Sequence, residues 1–104
     1  MTYNGWYNYE TWLTNIHFDH FFDFFKEAVD DDVFEDMDAP AVQSYIADFI
    51  EQYVRDYVDE TVGENSLFIM DMIGSFLNDV DFSELAEHYV DDVMQAIEEK
   101  NNND

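Results

Sequence analysis

The chemistry this sequence offers is carboxylate chemistry. Of its 104 residues, 26 are Asp or Glu and three are Lys or Arg, giving a formal charge of −23. Near the C-terminus Glu84, Glu87, Asp91 and Glu98 recur at multiples of about 3.5 residues. On a helix that spacing stacks them on one face, with neighbours one turn apart about 5–6 Å from each other. Asp92 and Glu99 widen the row. Asp48, Glu51 and Asp59 share a second polar face. The run from Asp30 to Asp38, with Asp30, Asp31, Asp32, Glu35 and Asp36, is a third acidic surface. A preorganised array of this kind can engage Lys and Arg side chains that are placed for phosphates, through charge-assisted hydrogen bonds and release of counterions.

The amount of charge matters as much as its placement. Duplex DNA carries one charge per ~1.7 Å of axis, so a charge of −23 corresponds to about 39 Å of duplex. A compact chain of this length has a radius of gyration near ~13 Å, hence a similar long dimension if slightly elongated. Solubility alone asks for a net charge of about 2–8 in magnitude. The field repels nucleic acid and anionic membranes and attracts basic surfaces over a Debye length of about 8–10 Å. Halophilic adaptation also produces acidic chains, but it does not account for the heavy aromatic content.

Other chemistries find less support. Read as a calcium loop from Asp30, the acidic run places Glu35 where an EF-hand needs glycine and Ala41 where it needs glutamate, so it reads as a charged connector. His17 and His20 stand one helical turn apart beside Asp19 and Asp23, but the spacing is not that of a HExxH zinc motif. Partly buried helix positions are the expected role for both, and Glu84 with His88 is expected as a surface pair. There is no cysteine, no nucleophile elbow and no phosphate loop. The expectation is a binding protein without catalysis, metal or cofactor.

The elements that must carry these groups are helices around an aromatic core. Hydrophobic residues make up 47% of the chain and aromatics 18%, which is enough to form a core despite the charge. The periodicity predicts four helices. The first spans 8–29 behind an Asn8 N-cap, with a Phe-rich arc (Phe18, Phe21, Phe22, Phe24, Phe25) broad enough for a central helix or a subunit interface. The second runs from near Asp38, with Pro40 in its first turn, to about 61, with Gly63 as its cap. Its inner face reads as Val42, Tyr45, Ile46, Phe49, Tyr53 and Tyr57. The third, 66–78, is short, apolar and expected to be buried. The fourth follows a capping-box variant at Asp81 with Val80 and Leu85 as a hydrophobic staple, and runs to about Lys100. Its inner face reads as Leu85, Tyr89, Val93, Ala96 and Ile97. Alternating aromatics at Tyr3–Tyr7 allow a short N-terminal hairpin. Trp6, Tyr7, Tyr9 and Trp12 are expected to pin that segment across the helices, the alternative being an exposed recognition patch. The fold class is thus all-α: one compact four-helix domain over 1–100, acidic on its outer faces, with 101–104 a disordered tail. No stretch has the length of a membrane span, and the start lacks a secretory pattern, so a cytoplasmic protein is expected.

Two stretches are familiar. Asn4-Gly5-Trp6-Tyr7-Asn8-Tyr9-Glu10-Thr11-Trp12 resembles the opening Asn-Gly-Trp-x-Asn-Tyr-x-Thr-Trp of a group of small phage and plasmid proteins of unknown function. Val80-Asp81-Phe82-Ser83-Glu84-Leu85-Ala86-Glu87-His88 resembles their Trp-x-x-Ile-Ala-Glu-His segment, with Phe82 and Leu85 at the aromatic and Ile positions. The chain departs from that group in its few basic residues and its excess of Phe and Asp. In physical type it also resembles small acidic, helix-rich phage proteins that mimic DNA and block restriction enzymes, CRISPR effectors or DNA-repair glycosylases. These resemblances imply a mobile-element origin and an inhibitor of a basic DNA-binding host protein. The alternative is an acidic helical assembly module, homodimeric through the Phe-rich first helix.

Overall fold

The computed structural model describes residues 2–62 and 67–102. Among these the chain is all-α, with five helices and no strand: α1 (Tyr9–His17), α2 (Phe22–Asp30), α3 (Ala39–Val62), α4 (Leu67–Asn78) and α5 (Phe82–Asn102). Three helix starts are local chemistry. Asn8 Oδ1 accepts the Thr11 N–H at 2.9 Å, Asp38 Oδ1 accepts the Ala41 N–H at 3.0 Å, and Asp81 Oδ1 accepts the Glu84 N–H at 3.0 Å. Each such cap contributes about 1 kcal/mol. Gly63 and Ser66 lie outside the described residues.

The single first helix expected over 8–29 is two helices. The series Thr14, Phe18, Phe21, Phe25 and Val29 keeps helical period straight through the break, so nothing local announces it. The chain leaves α1 at Phe18 (φ −134°, ψ 63°) and re-enters a helix at Phe22, with no side-chain cap at Phe21. The cause is tertiary. A straight rod of about 22 residues would extend about 33 Å. The turn instead keeps α1 over the start of α5 and lets α2 follow α5 toward its end. Phe18 sets its ring edge-on to Tyr57 at 5.3 Å and Tyr53 at 6.3 Å, which holds the corner.

The core lies between α2, α3 and α5, and α3 packs mainly on α5. Phe21 and Phe25 are fully enclosed. They meet Phe49, Tyr53 and Tyr89 at centroid distances of 5.1–6.3 Å, mostly edge-to-face. Each buried Phe contributes about 1.5–3 kcal/mol from area alone, so the Phe-rich arc is spent inside the chain and leaves only Phe24 substantially exposed. On α3 the buried row is Val42, Ile46, Ile50 and Val54, with the expected Tyr45, Phe49 and Tyr53 at its margin and Tyr57 exposed. On α5 the buried row is Phe82, Leu85, Ala86, Val90 and Val93, with Tyr89, Ala96 and Ile97 half-buried. Val80 and Leu85, expected as a staple, are both in the core. α5 continues through Asn102, two residues into the stretch expected to be disordered, and 103–104 lie outside the described residues.

The third expected helix is corrected in its environment. α4 is apolar but peripheral: only Leu77 is buried, while Leu67 is 78% and Phe68 71% exposed, with Ile69 and Met72 also open. Its position explains this, since it rests on the side of α3 and no other element covers its outer face among the described residues. At the N-terminus the short hairpin is present as one antiparallel bridge, Tyr3 to Trp6, with paired hydrogen bonds of 2.7 and 2.8 Å. Asn4 (φ 49°) and Gly5 (φ 88°) supply the two left-handed positions that a type I′ turn demands.

Candidate functional site

Two acidic stretches that are far apart in sequence are tied together at one end of the molecule. The connector after α2 turns through Asp31–Asp36, with Asp32 (φ 62°) and Asp36 (φ 64°) in the left-handed region that Asp tolerates better than most residues. Buried Phe34, edge-on to Tyr45 at 5.1 Å, anchors it to the core. From the other side Lys100 of α5 donates to the carbonyls of Val29 (3.0 Å) and Asp30 (2.8 Å) and pairs with Asp32. One cation therefore caps the C-terminus of α2 and ties the connector to the last turns of α5.

The consequence is an acidic edge around this end of α5: Asp30, Asp31, Glu35 and Asp36 lie on the side that Lys100 faces, while Glu87, Asp91 and Glu98, about half a turn away around the helix, lie on the opposite side, with Asp92 and Glu99 between. All of these are exposed. Asp91 and Glu98 line a shallow concavity with Met94, Gln95 and Asn101. Asp32 belongs to the edge but is engaged by Lys100. On α3, Asp48 and Asp59 are exposed, whereas Glu51 is half-buried and paired with Arg55 at 2.8 Å. This face is not joined to the edge by any polar contact among the described residues.

Glu84 departs most from its expected role. It is half-buried, and its carboxylate accepts the Tyr7 N–H at 2.8 Å, so it holds the N-terminal segment to α5. In a capping box that carboxylate would reach back to the Asp81 N–H. Here the Asp81 N–H donates instead to Thr11 Oγ1 at 2.8 Å, and Thr11 Oγ1 donates to Asn8 Oδ1 at 2.6 Å. Asn8 Nδ2 donates to the Asp79 carbonyl at 2.6 Å. Trp6 stacks on His88 with centroids 4.1 Å apart, so His88 partners an indole and not Glu84. The familiar N-terminal and C-terminal stretches are thus two halves of one lock. Trp6 and Trp12 are half-buried as expected, while Tyr7 and Tyr9 remain exposed.

Uncompensated charge dominates the electrostatics. Two of the carboxylates, Glu64 and Asp104, lie outside the described residues; of the other 24 only Glu10, Glu51, Asp81 and Glu84 are less than exposed. Set against three cations, the described residues carry −21 over a longest extent of 52 Å, or one net charge per about 2.5 Å. Duplex DNA has one per ~1.7 Å. The body, 52 × 32 × 19 Å with a radius of gyration of 15.5 Å, is more elongated than a sphere of this length and spreads the charge accordingly.

The shift at Tyr89 is structural. Burial pushes the Tyr89 phenol above its ordinary value, a hydrogen bond with the Phe21 backbone pulls it back, and the Asp19 charge pushes it up again. His17 ends α1 and His20 lies in the corner between the helices, stacked on Phe21 at 5.5 Å, so the one-turn spacing behind a zinc pair does not exist. Among the described residues no group of three or more His, Asp or Glu is placed to hold a metal ion, and no helix is long and apolar enough to cross a membrane.

No curated protein and no solved structure matches the chain. Residues 1–103 match a family model described as a family of unknown function, DUF7249. That match spans the N-terminal lock, the acidic connector and α5 together, and the chain belongs to the family DUF7249.

Proposed function

We propose that this chain is a DNA mimic: an inhibitor whose acidic edge occupies the basic DNA-binding groove of a host defence or DNA-processing protein, such as a restriction or CRISPR effector, in the cytoplasm of an infected bacterium. The observation that carries the reading is the joining of the connector to α5 through Lys100. Random acidity would be scattered, and flexible acidity would lose entropy on binding. Carboxylates on a helix and on a loop anchored by Phe34 are already ordered, so a groove built for phosphates gains its charge-assisted bonds with little further cost. The activity is binding, with Glu87, Asp91, Asp92, Glu98, Glu99, Asp30, Asp31, Glu35 and Asp36 as contacts and Asp48 and Asp59 on a secondary face. The resemblance of the N-terminal stretch to phage and plasmid proteins supports the same setting.

The test begins with capture from a bacterial lysate at low salt, elution on a salt gradient and identification by mass spectrometry. The captured protein should be displaced by duplex DNA and released steeply with salt. Reversing Glu87 and Asp91 together to Lys should weaken the complex about tenfold or more, and reversing Asp19 and Asp48 should do much less. Equal losses from the two pairs, or a complex that forms alongside bound DNA, would refute mimicry by this edge.

A further inference from the structure

The exposed side of α4 is an apolar surface that the acidic edge does not explain. Leu67, Phe68 and Met72 stand open on it, and Asp71 is exposed within the same stripe, with no cation paired to it among the described residues. Beside the stripe, between α3 and α4, a groove of about 220 Å³ is lined by Val58, Asp59, Met70, Ile73, Gly74 and Leu77, and by Arg55, whose guanidinium is engaged by Glu51 and Asn78. Gly74 sits in mid-helix, where glycine costs about 0.5–1 kcal/mol relative to alanine. Its usual reason, close approach of a neighbour, is missing among the described residues, because a Cβ built there would meet none of them within 4 Å. Among the described residues nothing fills the space above Gly74.

We infer that this groove and stripe form a docking site for a cationic amphipathic helix of a partner protein, with an apolar side chain seated over Gly74 and a Lys or Arg beside it facing Asp71 and Asp59. Charge chooses the occupant. A two-fold pairing of α4 with a second copy would bring the exposed Asp71 of both copies into one interface and set two chains of charge −23 against each other. An anionic membrane surface meets the same repulsion. A helix with Leu-type residues at i, i+3, i+4 and i+7 and basic residues flanking them satisfies both the apolar stripe and the carboxylates. This site is chemically distinct from the acidic edge and stands whether or not that edge mimics DNA.

The probe is a synthetic Leu/Lys helix of about 14 residues, long enough for four turns, compared with a peptide of the same composition whose leucines are scattered around the helix. Binding to the full chain is measured by fluorescence anisotropy in about 0.3 M salt, where diffuse attraction is screened. The patterned peptide should bind about tenfold or more tighter than the scrambled one. Phe68→Asp and Gly74→Leu, each checked for helicity by circular dichroism, should both abolish that preference. Phe68→Asp adds negative charge, so any general attraction for lysine would strengthen, and a loss can only report the apolar contact. Equal binding of the two peptides, or a preference that survives both substitutions, would overturn the inference. So would sedimentation showing a dimer that Phe68→Asp dissociates, which would assign the stripe to a second copy.

Discussion

Thr11→Val replaces a hydroxyl by a methyl of nearly the same shape at a position with no exposed surface. The Thr11 hydroxyl links two hydrogen bonds, accepting from the Asp81 N–H at 2.8 Å and donating to Asn8 Oδ1 at 2.6 Å. Valine leaves the part-buried Asp81 amide without a partner, which costs about 1–3 kcal/mol. Asn8 keeps its bond from the Thr11 N–H, so little is added on that side. A loss of about 2 kcal/mol is expected, which for a domain of this size corresponds to a fall of about 8–16 °C in Tm. Thr11→Ser keeps the hydroxyl and should lose only about 0.8 kcal/mol for the methyl carbon. Urea unfolding followed by circular dichroism and by tryptophan fluorescence measures both, since Trp6 on His88 and Trp12 beside Tyr3 report the lock directly. If Thr11→Val were as stable as wild type, or no worse than Thr11→Ser, the lock would not be holding the N-terminal segment. The shared motif would then need an explanation outside the fold.

Lys100→Met should cost about 1–2 kcal/mol, because it removes charged bonds to Val29 and Asp30 from a partly exposed site; faster amide exchange should be confined to the end of α2 and the connector. Tyr89 is favoured as the neutral phenol in the fold, so its contribution is complete below the ordinary phenol value near ~10 and is lost as pH climbs through the higher folded value. Stability should therefore fall on the alkaline side, and Tyr89→Phe should flatten that limb of a pH–stability curve. Among the described residues only Arg55–Glu51 and Lys100–Asp32 are ion pairs, so mutual repulsion is barely relieved internally. Raising salt from about 10 mM to about 300 mM shortens the Debye length severalfold and should raise Tm by about 5 °C or more. A Tm unmoved by salt would show that the charges sit too far apart to strain the fold.

Much of this protein is legible without tertiary information, for a physical reason common to the legible parts. Helix starts at Asn8, Asp38 and Asp81 depend on a side chain and an amide three residues away, and the Asn4-Gly5 turn depends on two backbone angles. Such interactions are local and can be read from residue type and spacing. The all-α class and the segregation of acids from aromatics follow from periodicity in the same way. The corner at Phe18–Phe21 does not. The apolar period runs through it unbroken, and the turn exists because Phe18, Tyr53 and Tyr57 meet across helices. The exposure of α4 is hidden from the sequence for a related cause: hydrophobic content says that a helix wants cover, and only the packing of α3 and α5 decides whether any is left. Gly74 and Asp71 within that apolar run were the available warnings.

The candidate site divides along the same line. The number of carboxylates and their turn-by-turn recurrence on α5 belong to the sequence itself, since charge and helical period need no partner to exist. Tertiary contacts decided which of them act together. Lys100, about 70 residues from the connector, holds Asp30–Asp36 against the last turns of α5, while the Tyr7 amide takes Glu84 out of the exposed row and into the lock. Those assignments depend on where distant segments meet, and composition and periodicity carry no record of that.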